Sequence, residues 1–175
     1  MSETVATLLA DYSVPDFVIE KTVLHFHLHE GFTDVKSQLT MVRNGEGRPN
    51  APLVLQGEQL ELLALAINGE LLTPAQYQLD AQSLRIEGVP ETFELHCETR
   101  IYPEKNTALE GLYRSNGMYC TQCEAEGFRK ITYYLDRPDV MSEFETFITA
   151  DEHAFSVMLS NGNCLSDAVA DGKRT

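Results

Sequence analysis

The stretch LHFHLHEGFTDVKSQLTM, Leu24 to Met41, decides what kind of fold this chain can have. Leu24, Phe26 and Leu28 alternate with His25, His27 and His29, so a chain of period two puts the apolar set on one face and the imidazoles on the other. Glu30 and Gly31 then offer a turn. Val35, Leu39 and Met41 alternate with Lys36, Gln38 and Thr40 on the return arm. A helix would smear both sets around its axis, whereas a strand pair sorts them.

The same signals recur on either side. NGEGRPNAP (44–52) reads as a loop punctuated by Asn-Gly and two prolines, and further strands are expected at 53–56, 60–67, 84–87 and 92–101, with Asn68-Gly69 a hairpin turn. One short helix is expected near 138–147, where Pro138 and Asp139 suit a first turn and Val140, Met141, Phe144 and Phe147 recur at roughly helical spacing. Strands near 146–150 and 155–160 should follow, turned by Asn161-Gly162. Residues 1–12 are expected to be flexible. At the far end, SDAVADGKRT reads as a strand entering an Asp171-Gly172 turn, with either a frayed tail or a missing second arm beyond it. A missing arm would mean a domain truncated just before its last strands. The expectation is one mostly-β domain over 1–175, a twisted antiparallel sheet or sandwich with one short helix.

Composition narrows the function. The 175 residues carry 13 Lys and Arg against 27 Asp and Glu, a formal net charge of -14. Such a surface repels phosphate backbones and anionic lipid, so neither nucleic acid nor membrane is an expected partner, and a cationic ligand would be drawn in. The first residues have no basic region ahead of an apolar run, and no eighteen apolar residues stand together. Four cysteines without a secretory signal read as free thiols in a cytoplasmic setting.

Several groups of residues invite chemistry. His25, His27 and His29 could ligate zinc or copper, but only Glu30 stands nearby to complete a site, and an amphipathic strand needs a polar row in any case. His29-Glu30 opens like the helical zinc motif His-Glu-x-x-His, yet position 33 is Thr and Gly31 spoils a helix. Cys120 and Cys123 have the spacing of redox dithiols and zinc knuckles. A redox pair normally opens a helix, and the residues that follow, EAEGFRKITYY, read as a loop passing into a strand; Cys97 and Cys164 stand alone, so no second pair completes a zinc site. Gln122, Glu124 and Glu126 would share one side of an extended segment, a row of acceptors suited to an ammonium group.

The run NTALEGLYRSNGMYCTQCEAEGFRKITYYLDRPDV, residues 106–140, resembles the N-terminal domain of the bacterial aminopeptidase N family. DYSVPDFVIEKTVLHFHL, beginning at Asp11, resembles that domain's opening strand, and LSNGN at 159–163 resembles its later part. The family comprises zinc metallopeptidases that remove residues from peptide N-termini. The resemblance implies a β-rich N-terminal domain beside a catalytic domain that carries the zinc, its His-Glu-x-x-His helix and a Gly-Ala-Met-Glu-Asn loop, neither of which this sequence contains. It therefore implies no metal or catalytic residue in this chain, zinc only in the parent enzyme's catalytic domain, and no peptidase activity of the chain alone. It also implies that a loop of this domain lends Gln122 and Glu124 to substrate recognition, Glu124 accepting from the peptide α-ammonium and Gln122 lining the pocket for the first side chain. The implied partners are the catalytic domain of the same polypeptide and the peptide N-terminus. Glu126, Arg129, Asp136, Arg137 and Asp139 belong to the same motif and read as loop-shaping residues, with an arginine pairing a neighbouring acid and Asp139 serving the helix start. A stand-alone binding module derived from such a domain is the alternative.

Overall fold

A strand whose every second residue is apolar must find a second apolar layer, and the computed structural model, which describes residues 9–175, shows how this chain supplies one. In chain order the strands are β1 (Phe17–Leu28), β2 (Thr33–Arg43), β3 (Leu53–Gln56), β4 (Glu61–Ile67), β5 (Glu70–Leu71), β6 (Tyr77–Leu79) and β7 (Ser83–Ile86). They continue as β8 (Thr92–Ile101), β9 (Gly111–Ser115), β10 (Met118–Gln122), β11 (Glu143–Asp151), β12 (Val169–Ala170) and β13 (Lys173–Arg174). Eight of them form one sheet in the order β12-β13-β11-β1-β2-β8-β4-β5; β3-β7-β6 form a second, and β9-β10 a hairpin of their own.

The opening hairpin is the one read from the sequence. β1 and β2 pair antiparallel from Phe17↔Arg43 to Leu28↔Thr33, and Gly31 closes the turn at φ 82°. The register slips between Ile19 and Lys21. That bulge switches the buried set from Phe17 and Ile19 to Thr22, Leu24 and Phe26, so both halves of a twelve-residue strand face the same core.

Two apolar clusters lie along that face. In the first, Ile19, Leu39, Met41 and Leu95 of the large sheet meet Leu53, Leu55, Leu84 and Ile86 of the small one, all nearly or fully buried. In the second, Leu24, Phe26, Val35 and Ile101 meet Leu112 of β9 and Ile131. Between them the segment 131–134 crosses the sheet over small hydroxylated residues. Thr99 Oγ1 donates to the Ile131 carbonyl (3.1 Å), Ser37 and Thr132 share a hydrogen bond (2.9 Å), and Thr22 shares one with the Tyr134 hydroxyl (3.2 Å). These three buried hydroxyls, Thr22, Ser37 and Thr99, are thus paired with the strap that covers them.

Most of the fold is the antiparallel sandwich expected, but three local expectations fail. There is no helix at 138–147. Residues 143–151 form β11, which runs parallel to β1 from Lys21↔Glu143 to His27↔Thr149. Phe144 and Phe147, three residues apart, therefore face opposite ways: Phe144 lies 6.0 Å from the Phe128 ring, and Phe147 stacks on His25 at 4.4 Å. Residues 155–160 do not form a strand. The last hairpin has both arms, β12 and β13, joined through Asp171 and Gly172 in the left-handed region, with β13 pairing onto β11. Of the stretch 1–12, residues 1–8 lie outside the described residues; Leu9–Asp11 form a single 3-10 turn, and the Tyr12 hydroxyl donates to Asp139 (3.1 Å).

Candidate functional site: the turn after the β9–β10 hairpin

The β9–β10 hairpin turns at Asn116-Gly117, both with positive φ (49° and 84°), the pair that a two-residue turn demands. Leu112 buries into the second cluster, and the Asn106 amide donates to the carbonyls of Glu110 (2.6 Å) and Leu112 (3.0 Å), fixing the hairpin's root. β10 ends at Gln122, and the chain then folds into a tight turn over 123–127. The Gly127 N–H donates to the Cys123 carbonyl (2.8 Å), and Glu126 sits in the left-handed region (φ 71°).

The extended row of Gln122, Glu124 and Glu126 is thus replaced by a turn that begins at Cys123. Gln122 and Glu124 are nevertheless brought together, because Gln122 Nε2 donates to the Glu124 carbonyl oxygen at 2.9 Å. Both residues are exposed.

The neighbouring acids are nearly all spoken for. Glu110 pairs with Lys130 (2.6 Å), Asp136 with Arg129 (3.0 Å), and Glu126 and Glu58 lie 3.6 Å and 3.8 Å from the same arginine. Arg137 pairs with Asp139 (2.7 Å), so Arg129 and Arg137 each take an acid, while Asp139 caps no helix. Among the described residues the Glu124 carboxylate has neither an ion pair nor a hydrogen bond. A carboxylate fixed by its backbone and unoccupied at its oxygens can accept a charged donor from outside.

The sulfurs do not compete for this role. All four cysteines are free, Cys123 packs against the second apolar cluster, and burial pushes its thiol pKa up, with the charge of Asp136 adding to the effect. Both influences oppose a reactive thiolate. The histidine row is engaged otherwise. His25 stacks on Phe147, His29 on Phe32 (4.6 Å), and Asp34, 3.7 Å from His29, already accepts a bidentate pair from Arg100 at 2.7 and 3.0 Å. Burial, then the neighbouring His25 and Lys36, lowers the His27 pKa. Among the described residues no three His, Cys, Asp or Glu come close enough to hold a metal ion. The described residues therefore bring together no set of ligands that fits zinc. No helix among the described residues is long and apolar enough to cross a membrane.

Fold and turn together define a β-sandwich domain that presents a braced acidic turn beside its second cluster. The chain belongs to the peptidase M1 N-terminal domain family, whose model matches residues 16–175. It is 48% identical over 97% of its length to an aminopeptidase N of Caulobacter vibrioides, and 44% identical over 94% to one of Escherichia coli. It covers 19% and 18% of those two proteins, so the chain spans about a fifth of the curated relatives it matches. Among solved structures, Legionella pneumophila aminopeptidase A in complex with aspartic acid superposes with a TM-score of 0.89 at 31% identity, over 95% of this chain and 20% of that one. An M1 zinc metallopeptidase from Deinococcus radiodurans shares the fold at a TM-score of 0.74 and 18% identity, over 91% of this chain and 38% of that one.

Proposed function

We propose that this chain is the non-catalytic N-terminal part of a zinc aminopeptidase, and that its 122–127 turn recognises the free amino terminus of a peptide. The observation that carries the reading is the Glu124 carboxylate. It is exposed on a turn braced by Gln122, and it alone among the acids around that turn lacks a cation within the described residues. An α-ammonium group offers three N–H donors and a full charge, and burying it unpaired in an enclosed site would cost several kcal/mol. Glu124 would supply the acceptor. Gln122, tied to the Glu124 carbonyl, would border the pocket for the first side chain. Holding the terminus also sets the scissile carbonyl one residue away, which is a positioning contribution to hydrolysis carried out by a catalytic domain of the same polypeptide. The net charge of -14 favours approach of a cationic terminus, and the free thiols suit a cytoplasmic setting.

The test is a fusion in which this chain replaces the matching part of the Caulobacter relative. Glu124→Ala should lower kcat/KM on peptides with a free amino terminus about 10- to 100-fold, the equivalent of one charge-assisted hydrogen bond. Unchanged catalytic efficiency would remove the ammonium-anchor role. The chain alone, supplied with zinc, should hydrolyse no alanine chromogenic substrate; turnover abolished by a chelator would overturn the non-catalytic reading.

A further inference from the structure

Arg129 stands where three segments meet. Its Nε donates to Asp136 Oδ2 at 3.0 Å and a terminal N–H to the Asp136 carbonyl at 3.2 Å. Its own backbone N–H reaches the same carboxylate at 3.1 Å. The guanidinium also lies 3.6 Å from Glu126 of the turn and 3.8 Å from Glu58, whose backbone N–H donates to the Arg129 carbonyl at 2.9 Å. Asp136 is anchored in turn, its N–H donating to Gln56 Oε1 at the end of β3 (3.0 Å). The side chains of Arg129 and Asp136 are only 15% and 12% exposed, whereas Glu126 is 67% exposed.

One cation therefore serves three carboxylates from three directions, and only one of the three, Glu126, belongs to the turn that carries Glu124. We propose that Arg129 is a positioning residue for substrate recognition: it ties the 123–127 turn, through Glu126, to the rigid end of the small sheet and so fixes where the Glu124 carboxylate stands. The inference rests on the reading of Glu124 as the ammonium anchor. Arginine is required because its planar fork reaches Asp136 with two N–H groups and still offers edges to Glu58 and Glu126, which a lysine's single ammonium cannot do. Without the guanidinium, the three acids would repel one another and the turn would lose its only ion-pair tether among the described residues.

The test uses the same fusion protein. Arg129→Lys should lower kcat/KM about tenfold, mainly through KM, with kcat within about twofold. A residue that acts through Glu124 should lose its effect once Glu124 is gone, so in the Glu124→Ala background Arg129→Lys should change kcat/KM by less than about twofold. Glu126→Gln, exposed and safe for folding, should act in the same direction about threefold and carry the same cycle if Arg129→Lys does not fold. Losses that persist unchanged without Glu124, or no loss at all, would overturn the positioning role while leaving the anchor intact. A Glu124→Ala variant of full efficiency would remove the anchor itself, and this proposal with it.

Discussion

Replacing Gly127 with alanine tests whether the 123–127 turn is as tightly built as its contacts indicate. Gly127 has φ -89° and ψ -15°, a conformation any residue adopts. Conformational entropy alone would therefore make Gly127→Ala stabilising, by about 0.4–1 kcal/mol. The surroundings reverse the sign. A Cβ at this position would lie 2.5 Å from the Gln122 carbonyl oxygen, 3.0 Å from the Cys123 Cα and 3.1 Å from the Gly111 nitrogen. All three are backbone atoms, so no flexible side chain can swing aside. Relieving the shortest contact means moving the Gln122 carbonyl by nearly an ångström, and overpacking of that kind costs about 1–3 kcal/mol. With the backbone hemmed in on three sides the cost falls in the upper half of that range. The net is a destabilisation of about 2 kcal/mol, or a fall in Tm of about 4–8 °C for a chain of this length. Gly45 is the control: nothing lies within 4 Å of its Cβ position, so Gly45→Ala should be neutral or slightly stabilising. Thermal and urea melts of the purified chain measure both. A Gly127→Ala protein as stable as the parent would refute the argument, because it would show that the Gln122 backbone yields freely.

Burial pushes the Cys97 thiol up to about 12, so a disulfide reagent at pH 8 should modify Cys164, which is exposed, long before Cys97, which should react only on unfolding; rapid labelling of Cys97 in the native protein would contradict its place in the core. The Arg100 guanidinium holds the Asp34 carboxyl below its usual range, outweighing the effect of burial. A lowered folded-state pKa means that this pair stabilises the fold at any pH above the carboxyl's ordinary value, about 3.9, and that the contribution is lost as pH falls through the folded value. Asp34→Asn should therefore reduce stability at pH 7 and flatten the loss below pH 4, as read from urea midpoints; an acid limb identical to that of the parent would argue against the pair.

Much of the sandwich is legible from spacing because its strands are amphipathic and their turns are written in Asn, Gly and Pro. β3 and β8 fall on the residues that alternation marks out, and Asn68-Gly69 joins β4 to β5. Only the second half of β11 is legible, as the strand expected near 146–150; its start is hidden because β11 lies parallel to β1 and half-buried on both faces, so its apolar residues do not alternate cleanly. Phe144 and Phe147 imitate a helical stripe. The signal in the other direction was the run Thr146–Thr149, aromatic and β-branched, which favours a strand. At the site, Gln122 and Glu124 came from the resemblance of the motif, and the structure supplies their physical coupling. The convergence of Glu58 on Arg129 was out of reach of any local reading, because that acid arrives from a distant loop. The bulge near Glu20 was likewise invisible: it changes which side the residues face without changing their kinds.

The parallel pairing of β1 with β11 has a consequence for how the chain comes to fold. Lys21 meets Glu143 across a sequence gap of about 120 residues, so one edge of β1 has no neighbour until most of the chain has been made. Closing so long a loop is costly before the contacts that reward it exist, and contacts of this range slow the search. During synthesis the β1–β2 hairpin can form early, but its outer edge waits with unpaired N–H and C=O groups. That waiting edge, rather than any part of the finished sandwich, is where a nascent copy is most exposed to pairing with another.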